Sequence, residues 1–186
     1  MITVEINGEE RQYPQGATYE DVANDYQKEY DNLIALAARD GKIRELFKKL
    51  TRDCEITFFT LKDDVGNKTY VRSATMLFLK AVFDVFGRET VQNCRVEFAI
   101  GNGSYISPKG KINATEENAA KIRNRMRELV EAKTPFLKKS YSLDNAMELF
   151  QREGMKDKEK LFRYRRGSFV NIYEMDGYYD YYYGYM

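Results

Sequence analysis

The sequence predicts an α+β fold in two parts, and three observations carry that prediction. Short alternating apolar runs, broken by Asn-Gly and Asp-Gly turns, fill the first third of the chain. A single stripe with helical period interrupts them after residue 18. Later, "SATMLFLKAVFDVF" (73–86) is apolar almost all round, the pattern of a helix covered on several sides.

In chain order, "ITVEI" alternates apolar and polar residues and "NGE" follows as a tight turn, which predicts a hairpin. Thr18 opens "TYEDVANDYQKEY", with Thr18 and Asp21 at capping-box spacing and Asp in place of the usual Glu. Tyr19, Val22, Ala23 and Tyr26 then fall on one helical face. "LIALAAR", "DG" and "KIREL" predict a second hairpin, and "CEITFFTL" a closing strand. That order over residues 1–61 predicts four or five strands packed on one helix, the β-grasp arrangement. The polar, turn-rich "KDDVGNK" predicts a linker over 62–69.

Residues 70–186 form the second predicted domain, with 73–86 as its central helix. "CRVEFAI", "GNG" and "SYIS" predict a hairpin. "NATEENAAKIRNRMRELVEAK" predicts a long helix capped by Asn113 or Thr115, with Glu116 and Glu117 in its first turn. Its expected buried stripe is Ala119, Ile122, Met126, Leu129 and Val130. "SLDNAMELFQREG" predicts a shorter helix from Ser142 to a stop at Gly154. "GSFVNIYEMDGYYDYYY" predicts two strands around an Asp-Gly turn.

Charge narrows the function. The 186 residues are 32% charged with a net of +1, which excludes a globally basic nucleic-acid binder. The distribution is uneven: Met1 to Asp31 carry eight acidic and two basic residues, Lys109 to Arg166 nine acidic and sixteen basic. Arg123, Arg125, Arg127, Arg163, Arg165 and Arg166 are therefore candidate phosphate or RNA contacts, set against the plainer reading of a solvated face. There is no histidine, which removes the commonest general base and metal ligand. Cys54 and Cys94 read as buried reduced thiols and cannot make a four-thiolate zinc site, so no metal is expected. No stretch matches G-x-x-x-x-G-K-[ST]; "GNGSY" at 101–105 lacks the lysine. Nothing resembles a signal or a membrane span, so a cytoplasmic protein without a membrane partner is expected.

The first 61 residues resemble a TGS domain, the β-grasp module at the N-terminus of threonyl-tRNA synthetases. "YVRSATMLFLKAVFDVFG" (70–87) resembles the start of the editing domain that follows it there. In that family the helix opens H-S-x-x-H, and a later C-x-x-x-H completes a cluster that hydrolyses mischarged tRNA. Here the two motifs stand as Arg72-Ser73-Ala74-Thr75-Met76 and Tyr182-Tyr183-Gly184-Tyr185-Met186. The resemblance thus implies the fold with Arg72, Met76, Tyr182 and Met186 at the four functional positions, and no catalytic residue among them. Arginine keeps its proton and lends no lone pair. A tyrosine with a pKa near ~10 is a poor base at neutral pH.

The same departures, with "LFRYRR" and the "DYYYGYM"-type end, resemble the N-terminal region of bacterial uridine kinase-like proteins. There a P-loop kinase domain follows. That resemblance implies a non-catalytic regulatory or substrate-presenting region partnered by its own C-terminal kinase domain. ATP and Mg would bind beyond residue 186, with no cofactor in this segment. The alternative is an RNA- or tRNA-binding module related to the editing domains, with nucleotide or RNA as partner. The terminal tyrosines have three readings: a strand with alternating faces, a filled editing pocket, or a platform for stacked bases.

Overall fold

The computed structural model describes residues 1–101, 103–108 and 112–186. Asn102 of the predicted glycine turn and Lys109 at the start of the basic region lie outside them. The chain divides into two compact units: Met1–Ser73 with Tyr183–Met186, and Ala74–Tyr182.

In the first unit, β1 (Ile2–Ile6) and β2 (Glu9–Tyr13) form an antiparallel hairpin. Asn7 and Gly8 turn it with φ of 54° and 84°, the left-handed pair that matches strand twist. Helix α1 (Tyr19–Tyr26) follows, then β3 (Ile34–Arg39), β4 (Lys42–Glu45) and β5 (Cys54–Thr60). The sheet order is β2-β1-β5-β3-β4, with β1 and β5 parallel and the other pairs antiparallel. Alternation turns Ile2, Val4 and Ile6 inward, where Ile56, Phe58 and Leu50 join Tyr19, Val22, Ala23 and Tyr26 of α1 in one core. The predicted helix stripe is the observed one. The capping box also forms: the Asp21 amide donates to Thr18 Oγ1 at 3.2 Å, and the Thr18 amide to Asp21 Oδ2 at 2.7 Å.

Helix α2 (Asp64–Phe86) begins well before residue 73. Most of the expected 62–69 linker is its first turns. Gly66 makes that start possible, because a Cβ there would lie 2.0 Å from the Thr60 carbonyl oxygen. The glycine reads as a breaker in sequence, yet here it lets helix backbone pass close to the end of β5.

The second unit holds the rest of α2, then α3 (Arg88–Gln92), β6 (Cys94–Ile100), β7 (Gly103–Pro108), α4 (Glu116–Glu131) and β8 (Leu137–Ser142). It continues with α5 (Leu143–Arg152), α6 (Lys156–Arg163), β9 (Phe169–Met175) and β10 (Tyr178–Asp180). Strands β10-β9-β8 make an antiparallel sheet, while β6 and β7 form a separate two-stranded sheet among the described residues. Ala146, Leu149 and Phe150 of α5, Phe162 of α6, and Val170 and Ile172 of β9 form a core. Thr115 and Ser142 cap α4 and α5 as predicted. Helix α5 ends in a Schellman motif: Gly154, at φ 70°, donates to the Gln151 carbonyl and Met155 to that of Phe150.

Two expectations change. Of the predicted α4 stripe only Leu129 is fully buried; Ile122 and Met126 are half-buried, and Ala119 and Val130 are exposed. Periodicity marks the apolar face of a helix without saying whether anything covers it. The terminal tyrosines do not form one long strand: β10 stops at Asp180. The Asp180 carboxylate takes the next amide, accepting from Tyr181 N at 2.7 Å, in place of a ladder partner.

Candidate functional site

Arg72 and Met186 belong to the first unit. The Arg72 guanidinium donates through Nη1 to the Tyr185 carbonyl at 3.2 Å. It also lies flat against Gly184, where an added Cβ would come within 2.7 Å of Cζ. Gly184 has a φ of 126°, so the turn and the close approach both favour glycine. The Met186 amide donates to Oε1 of Glu45 at 3.4 Å, and that glutamate, at the end of β4, is buried. An arginine and a buried carboxylate therefore hold the last four residues.

Met76 and Tyr182 belong to the second unit. Met76 is fully buried on α2. The Tyr182 ring meets Tyr173 edge-on at 6.4 Å. Burial first, and then the charge of Asp180, push its phenol well above the ordinary value of 10.0. It is no base at neutral pH.

Among the described residues three charged side chains are buried in the second unit, Lys80, Glu153 and Asp180, and none was singled out as a site. Glu153 takes Arg88 at 2.8 Å, and the other two are centres of larger networks. Lys80 lies one turn beyond Met76, and its ammonium is almost fully buried. Nζ meets Asp84 Oδ1 at 2.7 Å, the Asp176 carbonyl at 2.7 Å and Asp176 Oδ2 at 3.2 Å, so each of its three protons has an acceptor. Arg125 Nε holds the second Asp84 oxygen at 2.8 Å. Their signal in the sequence was the isolation of Lys80 and Asp84 in an otherwise apolar helix. Asp180 is the second centre: Tyr178 Oη donates to it at 3.2 Å, and Lys158 Nζ lies 3.3 Å away. Burial alone would lower the Lys158 pKa, but Asp180 and Asp157 outweigh it and raise it. Every charge here is matched, which is the chemistry of a braced interior rather than of proton transfer.

The candidate phosphate contacts fall in two places. Arg123 and Arg127 are exposed one turn apart on α4. Arg163 pairs with Glu159, and Arg165 bonds the Tyr181 hydroxyl and covers its ring, while Arg166 is exposed. Arg125 is committed to Asp84 and Glu128. A mainly apolar cavity of about 680 Å³ opens in the second unit, lined by Phe78, Val82, Ile106, Ile122 and Met126 with Arg123. Among the described residues no cluster of three or more His, Cys, Asp or Glu side chains is placed to hold a metal ion. Burial raises both cysteine thiols, so neither is an activated nucleophile. Among the described residues no helix is long and apolar enough to cross a membrane.

Against this geometry, the chain is similar to threonine–tRNA ligases. It is 27% identical to that of Thermotoga petrophila over 177 residues, which cover 89% of this chain and 27% of the relative. The enzyme of Maricaulis maris is 27% identical over 183 residues, 92% of this chain and 28% of the relative. That of Rhizobium etli is 27% identical over 175 residues, 94% of this chain and 26% of the relative. The chain thus spans little more than a quarter of the length of the curated relatives it matches. No protein-family model matches it.

Proposed function

We propose that the chain is an RNA-binding module related to the N-terminal region of threonine–tRNA ligases, which engages tRNA without hydrolysing an aminoacyl ester. The observation that carries this reading is similarity to those ligases across 89–94% of the chain. The strand order β2-β1-β5-β3-β4 around one helix supports a TGS-like β-grasp over residues 1–61. The loss of hydrolysis rests on Arg72, Met76, Tyr182 and Met186: a guanidinium, two thioethers and a buried phenol stand where the family's motifs carry histidines and a cysteine. Arg123, Arg127 and Arg166 are exposed candidate phosphate contacts, with Arg163 and Arg165 near Arg166 in the chain. Anisotropy of a labelled threonine tRNA, read across a salt series, tests the reading. Binding should weaken steadily with salt, and replacing Arg123 and Arg127 by Ala should flatten the log–log slope by about 1–2. No binding, or release of the amino acid from mischarged tRNA above a no-protein control, contradicts it.

A second reading rests on the same four substitutions, which a working editing site would not carry. The chain then serves as the regulatory or substrate-presenting part of a uridine kinase-like protein. ATP- and Mg-dependent phosphoryl transfer would belong to a domain outside these residues. Titration of uridine, UTP and ATP separates the two readings. Nucleotide binding lost in Arg72→Ala favours the second, and no binding by the wild type removes it.

A further inference from the structure

We propose that the β6–β7 hairpin is a stacking platform for unpaired bases, with single-stranded RNA as its ligand. The inference rests on the RNA-binding reading above and names a surface for it. The strands pair Arg95 with Ser107, Val96 with Ile106, Phe98 with Tyr105 and Ile100 with Gly103, and the register shifts between Val96 and Phe98. In a regular strand Arg95 and Phe98, three residues apart, would point to opposite faces. The irregularity at Glu97 brings them to the same one. Tyr105 and Ser107, two apart on β7, share that face. One side of the hairpin thus carries Arg95, Phe98, Ile100, Tyr105 and Ser107. Cys94, Ser104, Ile106 and Pro108, on the other side, line the cavity.

The outer face is open. Phe98 is 58% exposed, Ile100 59% and Tyr105 48%. The Phe98 and Tyr105 rings stack on each other, with centroids 5.2 Å apart and planes 21° apart. A parallel aromatic pair left in water offers flat π faces to a planar partner, and every base has such a face. Arg95 is exposed one rung along, about 7 Å by strand geometry, where the phosphate of a neighbouring nucleotide could meet it. The exposed Arg123 of α4 lines the same cavity as the hairpin's other side, and basic residues exceed acidic ones by seven between Lys109 and Arg166, so the charge next to the hairpin suits a polyanion.

The test uses the full chain and a fluorescein-labelled, unstructured ten-nucleotide RNA, with an RNA duplex of equal length for comparison. The wild type should prefer the single strand. The double variant Phe98→Ala/Tyr105→Ala should lose about tenfold or more of that affinity, whereas Phe98→Tyr/Tyr105→Phe should keep it. The chain has no tryptophan, so Phe98→Trp adds a lone reporter that does not depend on a truncated hairpin folding. Its emission should be quenched as the RNA binds. Unchanged emission at saturating RNA, or equal single-strand affinity in the double alanine variant, overturns the platform. If tRNA still binds in that case, the wider RNA reading survives. A wild type that binds no RNA overturns both. Sedimentation showing a dimer that the double variant dissolves, with RNA affinity unchanged, also overturns the platform and assigns the face to a second copy.

Discussion

The first unit turns its apolar residues inward and builds one core from a five-stranded sheet and one helix. Among the described residues the first unit buries one charged side chain, Glu45, which accepts from the Met186 amide. The second buries Lys80, Glu153 and Asp180, and it leaves Val96, Phe98, Ile100 and Tyr105 of one hairpin in water. Burial of a charge costs several kcal/mol unless partners are geometrically good, and exposed aromatic rings forgo about 25 cal/mol for each Å² left uncovered. A unit that accepts both costs spends stability on something other than folding. The difference teaches where to look for function: the first unit departs from a uniform interior at Glu45, and more of the departures lie in the second.

That contrast can be broken most forcefully at Asp180. Asp180→Ala leaves Lys158 without its main counter-charge and Tyr178 without an acceptor. It should destabilise the protein by about 4 kcal/mol in urea unfolding. A loss under 1 kcal/mol would mean the buried charges are incidental. Gly66→Ala should cost about 3 kcal/mol through the first unit, since the added Cβ meets the fixed Thr60 carbonyl rather than a side chain that can swing away. Near-neutrality there would show that the start of α2 is loose. Thr18→Ala removes one cap and should cost about 1 kcal/mol, with the loss confined to α1 by hydrogen exchange.

The smallest effect at neutral pH is expected for Tyr13→Phe. The Tyr13 phenol, pushed up to about 12 by burial and then by its hydrogen bond to Asp25, stays protonated in the folded state after the unfolded chain has ionised. Its contribution is therefore present below pH 10 and lost as pH rises from about 10 towards 12. The variant should unfold less steeply over that window, and an unchanged alkaline profile would assign the slope to Tyr178 and Tyr182, which burial also raises.

The first unit was legible because its signals are local. Asn7-Gly8, Thr18 with Asp21, and the Tyr19, Val22, Ala23, Tyr26 stripe each specify structure within eight residues. The second was less so. Strand β8, "LKKSYS", has no apolar alternation, because its stability comes from pairing with β9 and from contacts such as Lys139 with Glu174. The bulge at Glu97 that aligns Arg95 with the rings depends on register, which no single strand contains. The two motif segments were placed only by the resemblance to the editing domain. That Arg72 would grip the carbonyl of Tyr185 was not legible, since it needs the fold of distant residues.

The clasp on the last four residues also has a consequence in time. Residues 1–73 leave the ribosome first, and the strands of their sheet can pair as soon as they emerge. Yet the Tyr183–Met186 contacts of that same unit wait until the whole of Ala74–Tyr182 has been translated. The Arg72 guanidinium and the Glu45 carboxylate take up the Tyr185 carbonyl and the Met186 amide only at the end of that interval. The unit that holds residues 1–73 is thus completed only after residues 74–182 have been made, and it carries an open seam through that interval.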